Sequence, residues 1–257
     1  MNGSELNKIK EGIILIFKKN LEENLFAIVS LGGIAVGYFS RPWSDIDVLI
    51  VVNNLDLKTK RKIAKINEFL EKEYQCRFGV SIITKKEFQD PFLPIIFMEG
   101  KNLQTLLDLK SLPERLIFYK DKQIDKIYSP SKREIKEYSI SNFAMFLLRN
   151  RRTLTKFIPK TFEEYKKMVE KEIRASFIMT KLAIQYFSLY NCRSNREIFV
   201  QSEKLFNDFD FNVLKNNLGV IDKWKEIKKN SQLDKILKST DLFIEEFSQY
   251  VLKKTSK

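Results

Sequence analysis

The chain has 257 residues, of which 44% are hydrophobic, and this is enough to bury a sizeable core in one large domain or two of ordinary size. Lys and Arg outnumber Asp and Glu by 46 to 33, so the formal net charge is +13, and there is no histidine. The missing imidazole excludes a Ser-His-Asp triad, a Cys-His dyad, a His-ligated zinc and a His-dependent ribonuclease.

The first half of the chain predicts a helix over residues 4–20 and strands at Leu25–Leu31, Asp45–Val52 and Arg77–Thr84. The run from Arg115 to Tyr119 supplies a fourth strand. A helix between the second and third strands carries one apolar stripe, made of Ile63, Ile66, Phe69, Leu70 and Tyr74. These elements predict an α/β (α+β) domain with a small mixed sheet.

The second half predicts an all-helical bundle. Apolar residues keep helical spacing in two long segments, with Tyr165, Met168, Val169, Ile173, Phe177, Ile184 and Phe187 in one and Phe243, Phe247, Tyr250 and Val251 in the other. Pro130 follows the last strand-like segment, so we predict domains at 1–130 and 131–257. Their net charges differ, at +3 and +10.

Cysteine content and hydropathy bear on the cellular location. Cys76 and Cys192 are too few for a disulfide framework or a multi-cysteine metal site, which favours a reducing compartment. The apolar run Ile13 to Phe17 is too short for a signal peptide, and no run approaches the roughly 20 apolar residues of a membrane span. We therefore expect a cytoplasmic protein with no membrane partner.

The segment from Leu31 to Val52 carries the residues suited to chemistry. Gly32 and Gly33 end a strand, and a glycine backbone can approach a phosphate closely and offer it amide N–H groups. Asp45 and Asp47 lie two apart on the next strand, so they project from one face with Cα atoms roughly 7 Å apart. Two such carboxylates can share a cation, and oxygen ligands suit Mg²⁺.

A second pair with the same spacing, Asp208 and Asp210, follows no glycine pair and precedes no buried strand. We interpret this pair as a solvated turn or the start of a helix. The joint context of glycine turn, aspartate pair and apolar strand is what distinguishes the first pair.

The first segment resembles the signature of the nucleotidyltransferase-fold superfamily of the DNA polymerase beta type. Members carry a Gly-Ser followed after about ten residues by Asp-x-Asp, often within Ser-Asp-x-Asp. The matching residues here are Gly32, Gly33, Ser44, Asp45 and Asp47. The resemblance covers about residues 25–120, and the helical half is similar in layout to the helical domain of kanamycin nucleotidyltransferase-like and minimal nucleotidyltransferase proteins.

The resemblance implies a bound NTP with Mg²⁺ (or Mn²⁺) and transfer of a nucleoside monophosphate to a hydroxyl. Asp45 and Asp47 are then the catalytic metal ligands, and Gly32, Gly33 and Ser44 bind the nucleotide. Gly33 replaces the usual serine, as it does in some toxin-type nucleotidyltransferases.

The family's third carboxylate has no counterpart at the position that the pattern predicts for it. If Phe78 and Val80 face the core, that position falls on Ser81. Another acid such as Glu73 or Asp90 substitutes, the substrate supplies the missing group, or the domain binds nucleotide without transferring it.

Three arginines, Arg149, Arg151 and Arg152, lie in a run from 142 to 160 that contains no acid. Such a run is usually a solubilising helix face. A second interpretation is that these arginines bind the triphosphate or the phosphates of an RNA acceptor. The charge of the helical half favours RNA or another polyanion as partner.

Two hypotheses follow for the function. The first is an NTP- and Mg²⁺-dependent nucleotidyltransferase whose hydroxyl acceptor is not specified by the sequence, with RNA and protein among the candidates. The second is a catalytically degenerate nucleotide- or nucleic-acid-binding module of the same fold.

Overall fold

A computed structural model gives the fold in two compact units, residues 1–131 and 132–257. The residues it describes are 3–31, 45–89, 117–120 and 130–255. Within those ranges, no helix is both long and apolar enough to cross a membrane.

The first unit is built on a four-stranded mixed sheet. Its strands are β1 (Leu25–Leu31), β2 (Ile46–Val52), β3 (Phe78–Thr84) and β4 (Ile117–Lys120). They lie in the order β3-β2-β1-β4. β1 runs antiparallel to β2 and to β4, whereas β2 and β3 are parallel. The predicted fold class is confirmed, and the predicted start of the fourth strand at Arg115 lies outside the described residues.

Two helices, α1 (Gly3–Leu21) and α2 (Leu57–Tyr74), pack with one face of this sheet. Asp56 caps α2 by accepting a hydrogen bond from the Thr59 N–H at 2.7 Å. The main core lies between helices and sheet, and its buried residues are Ile9, Ile13, Phe17, Leu21, Leu25, Ile28, Ile46, Val48, Ile50, Val52, Ile63, Ile66, Leu70 and Phe78.

One member of the predicted apolar stripe on α2 is not in that core. Phe69 is 50% exposed, whereas its neighbour Leu70 is fully buried. Consecutive helical residues are rotated by about 100°, so only one of two adjacent apolar positions can point at the sheet.

α1 and α2 approach each other closely at Gly12. A Cβ atom at this position would lie 2.0 Å from the hydroxyl oxygen of Tyr74. The Tyr74 ring in turn stacks against Phe78, the first residue of β3, with ring centroids 6.0 Å apart. Burial raises the pKa of the Tyr74 hydroxyl.

The opposite face of the sheet carries a smaller core. It contains Phe26, Ala27, Val29, Leu49, Val51 and Phe88. Phe88 belongs to a short helix, α3 (Lys85–Gln89). Thr84 and Glu87 form a reciprocal cap at its start, because the Thr84 N–H donates to Glu87 Oε2 at 2.7 Å and the Glu87 N–H donates to Thr84 Oγ1 at 3.2 Å.

The described residues of the second unit form helices joined by short connections. Its helices are α4 (Lys132–Lys156), α5 (Phe162–Ser188), α6 (Asn195–Leu205), α7 (Asn212–Asp222) and α8 (Asn230–Thr255). Aromatic rings meet between α5, α6, α7 and α8, at Phe187, Phe206, Phe209, Phe211, Phe243, Phe247 and Tyr250. The predicted helical bundle is confirmed for this unit.

Among the described residues of the second unit, one carboxyl group is buried. Glu172 is 2% exposed and accepts a hydrogen bond from Asn150 Nδ2 at 2.8 Å. Burial raises the pKa of Glu172 to about 7; the hydrogen bond from Asn150 opposes this shift, and the charges of Asp241 and Glu245 add to it. A buried carboxyl group with this pKa is readily protonated near neutral pH.

Candidate active site

The two aspartates of the signature lie at the beginning of β2. Ile46 and Val48 are buried against the helices, so strand alternation directs Asp47 to the opposite face of the sheet. Asp45 immediately precedes the strand, and both aspartates are half-buried. The two side chains therefore share one face and are partly exposed, although Oδ1 of Asp45 is itself buried.

The glycine pair follows directly from the strand beside Asp47. Leu31, the last residue of β1, pairs with Asp47 in the antiparallel ladder. Gly32 and Gly33 are the next residues in the chain. These glycines and Ser44 lie outside the described residues, so their nucleotide-binding role stays a prediction.

The parallel ladder between β2 and β3 identifies the nearest neighbours of the aspartates on β3. Asp47 pairs with Gly79, whereas Ser81 pairs with Leu49, one step further along the strand. Gly79 is therefore the position on β3 beside Asp47, and it has no side chain. Ser81 is on the same face but lies next to an apolar residue of the smaller core.

An arginine that the sequence patterns did not single out contacts the site. Arg77 Nε lies 3.2 Å from Asp45 Oδ1, forming an ion pair in which the aspartate side chain is 25% exposed. The Ile46 N–H also donates to the Arg77 carbonyl oxygen at 2.9 Å. The sequence did contain one indication of this contact. Arg77 directly precedes β3, and Asp45 directly precedes β2, so the two residues occupy equivalent positions on adjacent parallel strands.

The structure does not place either acid suggested for the third carboxylate, Glu73 or Asp90, beside the aspartates, and Glu87 at the end of β3 has another role. Glu73 is exposed in the last turn of α2, the helix that covers the opposite face of the sheet. Glu87 is held by its cap with Thr84, and Asp90 lies outside the described residues. Within the described part of the chain, no group of three Asp, Glu, Cys or His residues is arranged to hold a metal ion.

The three arginines of the second unit differ in their surroundings. Arg149 and Arg152 are exposed on α4. Arg151 makes a two-pronged ion pair with Glu245 of α8, with Nε–Oε1 at 2.7 Å and Nη2–Oε2 at 2.5 Å. The hydrogen bonds from Arg151 lower the pKa of Glu245. Arg151 thus joins two helices of its own unit, and nucleotide binding by all three arginines stays a prediction.

The second aspartate pair lies in the connection between α6 and α7, where its carboxylates serve local structure. Asp208 accepts hydrogen bonds from the Tyr250 hydroxyl and from Lys254 Nζ. Asp210 accepts from the Asn212 N–H at 2.8 Å. These bonds connect the loop to α8 and begin α7.

Residues 11–103 match the family described as a nucleotidyltransferase domain. That segment contains β1, β2, β3 and both candidate aspartates, and the match supports the resemblance of this part of the chain to the nucleotidyltransferase superfamily.

A solved structure is similar over both units. The crystal structure of spectinomycin adenyltransferase AAD(9) from Enterococcus faecialis with ATP and spectinomycin matches 95% of this chain and 100% of its own, with a TM-score of 0.54 and 13% identity. At this identity the similarity establishes a common fold. The sequence matches no curated protein.

Proposed function

We propose that the protein transfers a nucleoside monophosphate from an NTP to a hydroxyl acceptor, with Asp45 and Asp47 as the catalytic ligands of Mg²⁺ (or Mn²⁺). The observation that carries the proposal is the position of both aspartates at the start of β2, on the sheet face that α1 and α2 leave uncovered. They lie within the segment that matches the nucleotidyltransferase family.

The donor set suits magnesium. Mg²⁺ is commonly bound through one or two carboxylates together with substrate phosphates and water, and it does not need an all-protein cage. Asp45 and Asp47 supply the two carboxylates, and the NTP would supply phosphate oxygens. Mg²⁺ bound there would neutralise charge on the phosphates.

Groups of the chain itself would position the nucleotide. The backbone amides of Gly32 and Gly33 are suited to phosphate oxygens, with Ser44 as a further hydrogen-bond donor. Arg77, which forms an ion pair with Asp45, would add a positive charge beside the phosphates. Arg149 and Arg152 are further candidates for phosphate contacts from the helical unit.

Two classes of hydroxyl acceptor are proposed for the transfer. The solved relative was crystallised with ATP and spectinomycin, which makes ATP and a small polyhydroxylated molecule the first pair to test. RNA is the second acceptor class, because the helical half carries a net charge of +10.

The alternative is a module that binds nucleotide or nucleic acid and has lost transfer. Gly79 favours it, because the position beside Asp47 on β3 carries no carboxylate. Ser81, the position that the sequence pattern suggested, cannot act as a carboxylate either.

The direct test is label transfer from α-³²P-labelled NTPs to small hydroxylated acceptors and to RNA, in the presence of Mg²⁺. Asp45→Asn combined with Asp47→Asn should abolish transfer. The matched control is Asp208→Asn combined with Asp210→Asn, which has the same spacing and charge change and should retain transfer. Transfer that persists without Asp45 and Asp47 would remove the assignment of the site.

Nucleotide binding separates the two candidate functions. A transferring enzyme gives labelled acceptor and pyrophosphate, whereas a degenerate module binds labelled NTP and releases it unchanged. Equilibrium dialysis with ATP and Mg²⁺, followed by analysis of the recovered nucleotide, distinguishes these outcomes.

A further inference from the structure

The exposed face of α2 is strongly basic. No acidic residue occurs between Leu57 and Asn67. Four exposed cations share one face, at helical positions i, i+3, i+4 and i+7, and they are Lys58, Arg61, Lys62 and Lys65. A stripe of four cations with no interleaved acid is an electrostatic attractor for a chain of phosphates.

The cations surround a hollow. Lys58, Arg61, Lys62 and Lys65 line it together with Leu57, and its volume is about 390 Å³. No ion pair identified among the described residues includes any of these four cations. The charges of Arg61 and Lys65 are therefore available to a ligand, whereas Lys58 and Lys62 also line a second hollow that contains acids.

A second hollow of about 440 Å³ adjoins the first and shares Lys58 and Lys62 with it. In this hollow the two cations are balanced by Glu23 and Asp56, and the remaining polar lining is Asn24, Asn53, Asn54 and Thr59. Asn24 and Asn53 use their amide N–H groups in hydrogen bonds within the protein. The Asn54 side chain is exposed and makes no hydrogen bond with the described residues, so its amide suits uncharged donors and acceptors such as sugar hydroxyls and base edges.

Hydrogen bonds fix the backbone beside the second hollow, which we call its rim. Asn24 Nδ2 donates to the Asn54 carbonyl oxygen at 2.9 Å, and the Asn54 N–H donates to Asn24 Oδ1 at 2.8 Å. Lys62 Nζ donates to the Asn20 carbonyl oxygen at 3.0 Å, which ties the helix to the end of α1. The backbone that carries the lining side chains is therefore preorganised for binding.

This surface is separate from the aspartates. Asn53 follows the C-terminal end of β2, whereas Asp47 lies at its beginning. Six residues of extended strand span about 20 Å. A nucleotide whose phosphates lie at Asp45 and Asp47 would not occupy the α2 hollows.

We infer that the basic face of α2 and its two hollows form a binding surface for the backbone of single-stranded RNA, with phosphates on the cation stripe and sugars or bases in the amide-lined hollow. The pairing of a cationic hollow with a neutral amide hollow is the feature that favours a nucleic acid over an anion without hydrogen-bonding bases.

The test is fluorescence anisotropy with a labelled 20-nucleotide RNA of mixed sequence, over 50 to 200 mM salt, an experiment chosen because phosphate contacts give a steep salt dependence. Lys58→Gln, Arg61→Gln and Lys65→Gln together remove three charges from the stripe. Affinity should fall at least about tenfold, and the slope of log K against log salt should become shallower by about 2.

The matched control removes the same charge elsewhere. Lys225→Gln, Lys228→Gln and Lys229→Gln together change three exposed lysines of the second unit. This variant should bind within about threefold of the unchanged protein, since only long-range attraction is altered. Equal losses in both triple variants would mean that net charge alone attracts RNA, and would overturn the inference.

A single near-isosteric change gives an independent check. Asn54→Asp adds a negative charge to the amide-lined hollow. The hydrogen bonds between Asn54 and Asn24 should persist, because Asn54 makes them through its backbone. Binding should weaken with no change in thermal unfolding. Failure of the unchanged protein to bind RNA at 50 mM salt, or binding only to vesicles containing phosphatidylserine, would refute the RNA surface.

Discussion

Carboxylates in the two units of the molecule have contrasting surroundings. In the first unit, Asp45 and Asp47 stand on one face at the start of a strand, beside an arginine and a residue without a side chain. In the second, Asp208 and Asp210 have the same spacing, and their bonds organise a loop. The comparison teaches that the spacing of two aspartates carries little information until the element that presents them is known.

The largest expected effect comes from removing both carboxylates of the first pair. Asp45→Asn combined with Asp47→Asn should weaken Mn²⁺ binding by more than about 100-fold, because even residues that only orient metal ligands account for about 10- to 100-fold. Asp208→Asn combined with Asp210→Asn should leave Mn²⁺ affinity unchanged. Isothermal titration calorimetry without nucleotide measures both, and similar losses in the two variants would contradict the contrast.

The next effect concerns the buried carboxyl group of the second unit. The pKa of Glu172 rises from 4.5 to about 7 on folding, so the folded protein keeps a proton that the unfolded chain loses. Its contribution should lower the free energy of unfolding as pH rises from 4.5 to 7, by about 3 kcal/mol, and remain constant above that. Glu172→Gln should remove most of this decline.

Urea unfolding at pH 5 and pH 8 tests that expectation. Asp241, whose pKa is also raised by burial and by Glu245, contributes in the same direction and remains in the variant. Glu137→Gln, at an exposed glutamate paired with Arg133, is the control and should keep the full decline. An undiminished decline in Glu172→Gln would show that Glu172 is not its source.

A smaller effect sharpens the geometry beside Asp47. Gly79→Asp should place a third carboxylate next to the pair and raise Mn²⁺ affinity about tenfold, since a nearby unit charge contributes on the order of 1 kcal/mol or more. Ser81→Asp, one step further along β3, should give a clearly smaller gain. A larger gain in Mn²⁺ affinity for Ser81→Asp than for Gly79→Asp would favour Ser81 as the position of the third carboxylate. Thermal unfolding of each variant checks that the strand tolerates the new side chain.

The smallest expected effect lies at the second pair. The hydrogen bond from Tyr250, helped by Lys254, lowers the pKa of Asp208 below 3.8. Its stabilisation is present above that pH and is lost as pH falls through the lowered value. Asp208→Asn should therefore lower the urea midpoint slightly at pH 7, with no change in Mn²⁺ binding. Equal midpoints would show that the loop is held by other contacts.

The sequence predicted β1, β2 and β3 to within one residue, because their β-branched runs are bounded by polar or glycine residues. The alternation considered for β3, with Phe78 and Val80 facing the core, is the one found in the structure, since side chains of a strand alternate with a period of two. Alternation does not determine register between strands. The pairing of Asp47 with Gly79 could therefore not be read from the sequence, and the assignment of the third-carboxylate position to Ser81 stays a prediction.

Interactions between distant residues were also beyond the sequence. The pairing of Arg77 with Asp45 depends on the same parallel register as Gly79. The bond of Arg151 to Glu245 depends on how two helices pack, which helical spacing alone does not specify. Residue type therefore predicted the kind of chemistry, whereas the pairing of the charged side chains depended on the three-dimensional fold.

Gly12 of α1 is connected with the start of β3 through contacts of Tyr74. The space left by its absent methyl group is filled by the Tyr74 hydroxyl, and the Tyr74 ring rests on Phe78. Phe78 sits between Arg77 and Gly79, the two residues that flank the aspartates. The single hydrogen atom of Gly12 therefore leaves room for the Tyr74 hydroxyl, and any larger group there would displace this hydroxyl and disturb the contact between the Tyr74 ring and Phe78.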